Sequence, residues 1–422
     1  MSVRAPDSKR LLTSWKEIAE YLGVSVRTAQ KWEGEMGLPV HRLPGEKGRV
    51  SAEAGALERW KKTTVARPHW WASVRFFRVY AAVATALVVV AGGVFLGGYL
   101  ASNRKGPPAR FRHELNTLVV SDEAGRELWG KTFEDAFHHG NTPEVMIESR
   151  QAWFGDLDGD GGVELLYTYD PVSSQKNGSV LICFSEKGQE KWRFVPGTAI
   201  STANYTLKPP FLIGAFLVAP LGKDRTKRVL VTSHHLARYP NQFVALSSGG
   251  RVLGEYWHSG HFTHMDLADL DGDGAEEVLL GGISNGYQAA TLVVLDPLNL
   301  GGASLEENPE YQLEGLGPGK EKARLLFART CINRKFDMYN WVEDLAVQQH
   351  SIKIGLKERL DFSRASVIYH LNRNLDLTDL VVSDRLKGLH RELESTGQLD
   401  HAWTDREMAE LRKIRVLKGL RR

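Results

Sequence analysis

The pattern of hydrophobic and polar positions divides the chain into a helical head, one long uncharged stretch and a strand-rich body. Residues 79–101 are 23 consecutive positions without a charged side chain. At about 1.5 Å per residue, a helix of that length crosses a hydrocarbon core of about 30 Å. The alternative is a buried helix of a globular domain, but such helices rarely run this long without a charge. The pattern therefore predicts one transmembrane helix.

The head before this stretch shows apolar positions at helical spacing. Ser14 and Glu17 have the spacing of a capping box, and Gly23 is a typical helix stop. Ser25 is placed to cap a second helix. The outer face of that helix would then present Arg27, Thr28 and Lys31. A helix, a tight turn and a helix with a basic outer face is the geometry that enters a DNA major groove.

A two-stranded wing and a third helix are predicted to complete the head. Residues 40–43 and 49–51 read as short strands around a glycine-bearing tip, and 52–62 as a helix. Through residues 14–28, 31–33 and 37–42, the head resembles the winged helix-turn-helix of the MerR and excisionase class. The resemblance implies that the second helix reads the major groove and that the wing touches backbone or minor groove. The candidate DNA-binding residues are Ser25, Arg27, Thr28, Lys31, Arg42, Lys47 and Arg49.

Charge favours an anionic partner for the head alone. Residues 1–78 hold 15 Lys/Arg and 8 Asp/Glu (+7), which leaves 39 against 43 (−4) for the remainder and gives the net +3 of the chain. The partner is nucleic acid or a lipid surface. Basic residues near the uncharged stretch number six before it and four after it, which favours a cytoplasmic N-terminus. Gly93 and Gly97 fit a small-residue motif for a homodimer of transmembrane helices.

The body contains one acidic motif twice, D-x-D-x-D-G-x-x-E followed by an apolar run. Carboxylates at positions one, three and five can converge on one hard cation, because the glycine at position six allows a sharp turn. The candidate ligands are Asp156, Asp158, Asp160, Gly162 and Glu164 in the first motif, and Asp269, Asp271, Asp273, Ala275 and Glu277 in the second. An EF-hand would need a glutamate where Tyr167 and Leu280 stand, so calcium on a loop between two strands is expected. The alternative is an acidic, solvated β-turn without an ion.

A repeat of about 56 residues links these motifs. They lie 113 residues apart, and the stretch midway, 216–231, keeps the two apolar runs but lacks the carboxylates. Turn glycines Gly125, Gly188 and Gly250 each lead into a strand with an aromatic residue, as in propeller blades. These features resemble the FG-GAP repeats of integrin heads over about 115–375, in four or five blades. The resemblance implies two Ca²⁺ sites and an extracytoplasmic binding platform that is not an enzyme.

Catalytic signatures are lacking in the sequence. No G-x-S-x-G, P-loop or Rossmann fingerprint occurs. His258, His261 and His264 are spaced so that a strand would place them on alternating faces, which disfavours a shared metal. The two cysteines, Cys183 and Cys331, form no C-x-x-C, so neither a zinc site nor a disulfide framework is indicated.

The predicted fold class is multidomain: a small all-α winged helix-turn-helix, one transmembrane helix, and an all-β propeller-like domain with C-terminal helices. The boundaries are 9–62 for the head, 63–78 and 102–112 for linkers, 79–101 for the span, 113–375 for the repeats and 376–422 for the helical segment. Ser383 and the pair Thr404 and Glu407 are predicted helix caps in that last segment.

The predicted function is a single-pass cell-membrane regulator of transcription. Its cytoplasmic head would bind DNA, and its extracytoplasmic propeller would bind calcium and an unidentified ligand or protein. The alternative is a membrane-anchored extracytoplasmic binding or adhesion protein whose helix-turn-helix serves protein contacts only.

Overall fold

The computed structural model describes residues 9–42, 49–64, 70–102, 104–137, 152–237, 240–349, 351–358 and 365–420. The chain divides into two compact units, Met1–Arg104 and Lys105–Arg422.

The first unit combines helices with a small antiparallel sheet. Its elements are β1 (Leu11–Leu12), α1 (Trp15–Leu22), α2 (Val26–Met36), β2 (His41–Arg42), β3 (Val50–Glu53), α3 (Ala54–Thr64) and α4 (Trp70–Ser102). Strand β3 lies between β1 and β2, with Leu12 opposite Ala52 and His41 opposite Ser51. The prediction of an all-α head is therefore wrong. The two residues of β1 are too few to show strand alternation in the sequence, and they gain their strand geometry by pairing with β3.

Caps and a small apolar core explain how the helices of the first unit form. Ser14 and Ser25 accept backbone hydrogen bonds at the starts of α1 and α2, and Gly23 ends α1 with φ of 68°. Ile18, Ala29 and Leu57 are fully buried in the shared core. Their burial fixes which faces of α1, α2 and α3 point inwards, and thereby which side chains of α2 remain outside.

The predicted transmembrane helix is not supported. Helix α4 forms over the uncharged stretch. Among the residues that the structure describes, no helix combines the length and apolar character needed to span a membrane. The prediction of a span over 79–101 is wrong on this finding, and so is the membrane-spanning fold class.

The second unit is built mainly from five successive antiparallel sheets. The first holds β4 (Arg110–Glu114), β5 (Thr117–Ser121) and β6 (Glu127–Thr132); the second holds β7 (Ala152–Gly155), β8 (Glu164–Tyr169), β9 (Val180–Phe184) and β10 (Glu190–Phe194). A hairpin of β11 (Ile200–Ser201) and β12 (Thr206–Leu207) follows. The third sheet holds β13 (Phe211–Leu221), β14 (Thr226–His235), β15 (Pro240–Ser247) and the first half of β16 (Val252–Ala268).

Strand β16 leads directly from the third sheet into the fourth. Its second half pairs with β17 (Glu277–Ser284), and β18 (Ala289–Leu295) and β19 (Glu321–Leu326) follow. The fifth sheet holds β20 (Trp341–Val347), β21 (Ile352–Lys357), β22 (Ser366–Leu371) and β23 (Leu377–Val382). The helices are α5 (Ser174–Asn177), α6 (Cys331–Lys335), α7 (Asp384–Ser395) and α8 (Asp405–Leu411). The last strand, β24 (Arg415–Lys418), returns to pair with β19 in the fourth sheet.

Apolar clusters join each sheet to the next. In β8, Leu165 packs towards the first sheet and Leu166 towards the third; in β17, Leu279 packs towards the fifth sheet and Leu280 towards the third. Successive strand residues point to opposite faces, so sheets covered on both sides need the continuous apolar runs that the sequence shows. The architecture is β-propeller-like. Within the described residues, no apolar cluster joins the first sheet to the fifth.

A tryptophan–glycine contact recurs between neighbouring sheets. The Trp129 indole donates to the carbonyl of Glu186 at 3.1 Å and covers Gly188, and the Trp192 indole donates to Ser248 at 2.8 Å and covers Gly250. A Cβ on either glycine would lie within 2.6 Å of the indole, and both φ angles are near +79°. The turn glycine and the aromatic residue of the repeat therefore belong to one contact, made between consecutive sheets.

The C-terminal part combines strands and helices. Ser383 caps α7, and Thr404 and Glu407 form both bonds of a capping box on α8, which confirms the predicted caps. Strands β23 and β24 lie inside the segment predicted as helical. Helices α7 and α8 bury Leu386, Leu389 and Leu411 in the cluster shared by the fourth and fifth sheets.

Candidate metal centre: two acidic loops

The first acidic loop connects β7 to β8. The carboxylate of Asp156 accepts backbone N–H bonds from Gly159 at 2.6 Å and from Gly161 at 3.1 Å, so one side chain holds the whole turn. Both glycines have φ near +86°, which favours glycine. Asp158 accepts from the amide of Asp160 at 3.3 Å. The loop thereby folds back on its own carboxylates.

The second acidic loop, between β16 and β17, repeats this network. Asp269 accepts from Gly272 at 2.7 Å and from Gly274 at 3.1 Å, and Asp271 accepts from the amide of Asp273 at 3.3 Å. The matching distances in the two loops agree within 0.1 Å. Two stretches 113 residues apart therefore adopt one local structure at the same strand-to-strand connection of the second and fourth sheets.

The loops bring most of the predicted ligands together. Carboxylate oxygens within 4.8 Å of one another come from Asp156, Asp158, Asp160 and Glu164 in the first loop, and from Asp269, Asp271 and Asp273 in the second. Glu277 lies outside this second group; its carboxylate is buried and accepts from the amide of Leu270 at 2.8 Å. Gly162 and Ala275 lie in the loops, and their amides donate to Asp160 and Asp273 at 2.7 Å. Both clusters can bind a metal ion.

A lysine contacts each loop, and the sequence analysis did not identify either one. The Lys191 ammonium on β10 lies 2.6 Å from Asp158 and 3.0 Å from Glu164. The Lys322 ammonium on β19 lies 2.8 Å from Asp271 and also contacts Glu277. Each lysine stands on the fourth strand of its own sheet. The signal for Lys191 was present in the repeated stretch Gly188–Trp192, where the lysine precedes the tryptophan.

The electrostatics of the loops favour cations. Hydrogen bonds from the two lysines lower the pKa of Asp158 and of Asp271, while burial raises the pKa of Glu277. An ammonium placed among carboxylates is a positive charge at the position a cation would take. The donor set consists of oxygen atoms, which suits a hard divalent ion. The residues present therefore fit a bound cation.

A hydrogen bond also connects each loop to the following sheet. The Lys227 ammonium on β14 donates to the backbone carbonyl of Asp156, and the Arg373 guanidinium donates to that of Asp269 at 3.2 Å. The first position of each loop therefore meets a basic side chain from the neighbouring sheet. Ordering of a loop by a cation would strengthen the contact between two sheets.

Replacing Lys191 with methionine is expected to raise the calcium affinity of the first loop about fivefold. The substitution removes a positive charge close to the cluster, and at about 4 Å such a charge contributes about 1 kcal/mol in a solvated site. Calcium titrations of the full chain measure the change. Lys187→Met, in the exposed turn of the same hairpin, is the matched control. An unchanged affinity in Lys191→Met would show that the lysine does not compete with the ion.

In the first unit, the candidate DNA-binding residues lie on or near α2. Arg27 and Lys31 are exposed, Thr28 is half-buried, and the Ser25 hydroxyl lies 2.7 Å from that of Thr28. Lys31 lies 3.8 Å from Glu35, and Arg42 forms a bidentate pair with Glu33. Arg49 immediately precedes β3, and Lys47 lies outside the described residues. Two of the basic side chains are therefore partly neutralised by acidic neighbours.

The histidines of β16 do not form a metal cluster among the described residues. His258 is fully buried, its Nε2–H donates to the Ile283 carbonyl at 3.1 Å, and its ring stacks on Phe262. Burial lowers the pKa of His258 and of His261. These rings are packed as part of the sheet interior. That the chain is not an enzyme stays a prediction.

Comparisons with known proteins give similarity at the level of fold. No protein-family model and no curated protein matches the chain. The chain is similar to BamB from Moraxella catarrhalis, at 12% identity and a TM-score of 0.33 over 66% of this chain and 62% of that one. It is similar to the PilY1 C-terminal domain from Pseudomonas aeruginosa, at 13% identity and a TM-score of 0.39 over 64% and 58%. The chain thus spans about three fifths of each of these structures.

At TM-scores of 0.33 and 0.39, these similarities carry no argument about the family or the function of this chain. They support neither a helix-turn-helix family for the first unit nor FG-GAP repeats for the second. The predicted membrane-spanning regulator of transcription is wrong in its span, as shown above, and no match supports regulation. Function is therefore argued from the geometry of this chain.

Proposed function

We propose that the Lys105–Arg422 unit is a calcium-dependent binding module of the β-propeller-like class. One observation carries the proposal: two loops in different sheets share the same hydrogen bonds and each gather carboxylates within 4.8 Å. A solvated turn has no requirement for clustered like charges, which repel one another. Repetition of the cluster in a second sheet favours a bound cation in both.

Calcium fits these loops better than magnesium. Calcium takes six to eight oxygen ligands in flexible geometry, whereas magnesium needs near-ideal octahedral geometry and retains several waters. The loop carboxylates of Asp158, Asp160, Asp271 and Asp273 are partly solvent-exposed, so water can complete the coordination. The D-x-D-x-D-G pattern also resembles the calcium loops of FG-GAP repeats. One Ca²⁺ per loop is the proposed occupancy.

A cleft between the first and second sheets offers a place for a ligand. It has a volume of about 630 Å³ and is lined by aromatic and charged side chains that include Phe133, Tyr169, Lys131, Arg193 and Asp135. Phe133 and Tyr169 stack at 4.2 Å between ring centroids. A flat aromatic pair beside charges of both signs suits recognition of a polar ligand or a protein side chain. Binding or adhesion is therefore the proposed role of the module.

Thermal unfolding of the full chain tests the calcium proposal. At tenfold excess over its dissociation constant, an ion adds about 1.4 kcal/mol per site, which raises the melting temperature by a few degrees. We expect this rise when calcium replaces EDTA, and we expect Asp158→Asn with Asp271→Asn to abolish it. Asp224→Asn is the matched control, because Asp224 lies in the equivalent turn of the third sheet, which lacks a carboxylate cluster. Equal calcium responses in the double variant and the wild type would reject the loops as the sites.

DNA binding by the first unit is a second candidate function. It is favoured by α2, where Ala29 is buried in the core while Arg27 and Lys31 remain outside on adjacent turns. The resemblance to winged helix-turn-helix proteins points to the same face. The ion pairs of Lys31 and Arg42 weaken the positive field of this face but leave Arg27 to contact a phosphate or base.

A mobility-shift titration of the full chain against random duplexes tests the second candidate. Each lost base or phosphate contact costs about 1–3 kcal/mol, so Arg27→Ala with Lys31→Ala should weaken binding at least about tenfold. Lys16→Ala on α1 is the control. Binding should also fall steeply with salt. A double variant that binds like the wild type would remove α2 as the DNA-contacting element.

A further inference from the structure

Three potential metal ligands converge in the C-terminal part of the second unit, away from the acidic loops. Cys331 is the first residue of α6, His390 lies in α7, and His401 lies between α7 and α8. Their sulfur and nitrogen ligand atoms all lie within 4.8 Å of one another. These residues are 59 and 11 positions apart, so their proximity is a product of the fold.

His390 is the unusual member of the cluster. Its side chain is fully buried, and neither ring nitrogen has a hydrogen-bond partner. The ring instead meets His401 at 5.3 Å and Trp403 at 5.4 Å between centroids, both edge to face. An imidazole buried without a partner is unfavourable. A metal ion bound to one nitrogen would provide the missing partner.

His401 already has the environment of a metal-ligating histidine. Its Nδ1 lies 2.9 Å from the Asp400 carboxylate, and its Nε2 lies 3.2 Å from Oε1 of Glu407. A carboxylate on one ring nitrogen orients the other towards a metal. Glu407 is itself fixed, because its Oε2 accepts from the amide and the hydroxyl of Thr404 at 2.8 and 2.7 Å. The other oxygen of Glu407, Oε1, is thereby held beside Nε2 of His401.

Cys331 supplies the third ligand and the route of entry. It is half-buried and forms no disulfide. A small cleft lined by Cys331, Trp403, Glu407 and Glu410 leads to it from the surface. An ion can therefore reach the thiol without unfolding of the surrounding helices.

We propose that Cys331, His390 and His401 bind Zn²⁺, and that Glu407, which lies outside the 4.8 Å group but 3.2 Å from His401, moves in as the fourth ligand. Sulfur and nitrogen donors select zinc over calcium, so the site is independent of the acidic loops. Tetrahedral zinc separates its ligand atoms by about 3.3–3.6 Å, and His401 and Glu407 are already at 3.2 Å. The thiol loses its proton to solvent as the zinc–sulfur bond forms. The ion would join α6, α7 and α8, which pack on the fourth and fifth sheets.

Cobalt titration of the full chain under reducing conditions tests this site. We expect one equivalent of Co²⁺ to give a thiolate-to-cobalt charge-transfer band with the visible bands of a tetrahedral ion, and zinc to displace both. Cys331→Ser should abolish the thiolate band, and Cys183→Ser, in the second sheet, should retain it. Asp400→Asn should weaken metal affinity about 10–100-fold through the orientation of His401.

Further variants separate the site from misfolding and from the acidic loops. His390→Gln should lose tetrahedral binding; if that variant fails to fold by circular dichroism, His401→Gln, whose side chain is 40% exposed, provides the same test. The Asp158→Asn with Asp271→Asn variant should retain the cobalt spectrum, so failure of the calcium proposal leaves this one standing. A wild-type chain without a thiolate band, or a Cys331→Ser chain that retains it, would overturn the zinc site.

Discussion

Replacing Arg324 with methionine is expected to lower the free energy of unfolding of the second unit by about 3–5 kcal/mol at pH 8. The Arg324 side chain is 1% exposed and donates to Glu306 at 2.7 Å and to Ser284 at 3.0 Å. A second carboxylate, that of the half-buried Glu321, lies 4.0 Å away and accepts from the Tyr256 hydroxyl at 2.6 Å. Loss of one partner from a buried ion pair leaves charge without compensation, which costs about this much.

The expected loss depends on pH. Burial raises the pKa of Glu306 and of Glu321, and removal of Arg324 raises both further, so the orphaned carboxyls can take up protons. The destabilisation should therefore be smaller at pH 5 than at pH 8. Urea unfolding at the two pH values measures it, with Arg193→Met as control. Arg193 forms an exposed pair with Glu190 at 2.6 Å, which is worth less than about 1 kcal/mol. A loss from Arg324→Met as small as that of the control would contradict the role of the buried network.

Replacing Glu358 with glutamine is expected to stabilise the second unit by about 3 kcal/mol at pH 8. Glu358 is fully buried, the Thr330 hydroxyl donates to its Oε2 at 2.7 Å, and the Asn333 side chain lies beside the same carboxylate. Burial raises the pKa of Glu358 from its ordinary 4.5 to about 7. At about 1.4 kcal/mol per unit of pKa, ionisation of this group in the folded state costs about 3 kcal/mol, and glutamine avoids that cost.

The direction of the pH dependence follows from the proton affinities of Glu358 in the folded and unfolded states. The folded state binds the proton of Glu358 more tightly than the unfolded state, so the contribution of this group to wild-type stability is highest below pH 4.5, falls between pH 4.5 and 7, and is constant above. Glutamine does not titrate, so the gain should vanish near pH 4.5 and be complete by pH 8. Unfolding measured in EDTA across this range tests it, with Glu343→Gln, an exposed partner of Lys357, as control. A gain that is equal at pH 4.5 and pH 8 would show that folding does not raise the pKa of Glu358, and it would contradict this account.

The acidic loops were predictable from sequence because their chemistry is local. Nine residues hold the carboxylates and the glycines that fold them, so Asp156 and Asp269 each organise a turn without help from the remainder of the chain. The lysines that contact the loops could not be predicted in this way. Lys191 contacts a glutamate 27 residues earlier and Lys322 one 45 residues earlier, because the connections between strands differ in length. Because the spacing between lysine and glutamate differs between the two loops, no sequence motif identifies these lysines.

Long-range packing also explains the other differences. Cys331 and His390 meet only because α6 and α7 cover the same sheets, so the lack of a C-x-x-C motif did not exclude a metal cluster there. In the first unit, β1 exists by pairing with β3, and its two residues carry no periodicity. The absence of charge over 79–101 predicted a helix there, and α4 covers that range. The same pattern also predicted that this helix spans a membrane, and that prediction is wrong, because the described residues contain no helix that is long and apolar enough to do so.

The central claim is that each acidic loop binds one calcium ion, and calorimetric titration of the full chain tests it most directly. The wild type should bind two ions per chain at calcium concentrations up to about 1 mM. Asp158→Asn and Asp271→Asn should each bind one, and the double variant should bind none. A wild-type chain that binds no calcium in this range, or a double variant that still binds two ions, would contradict the account.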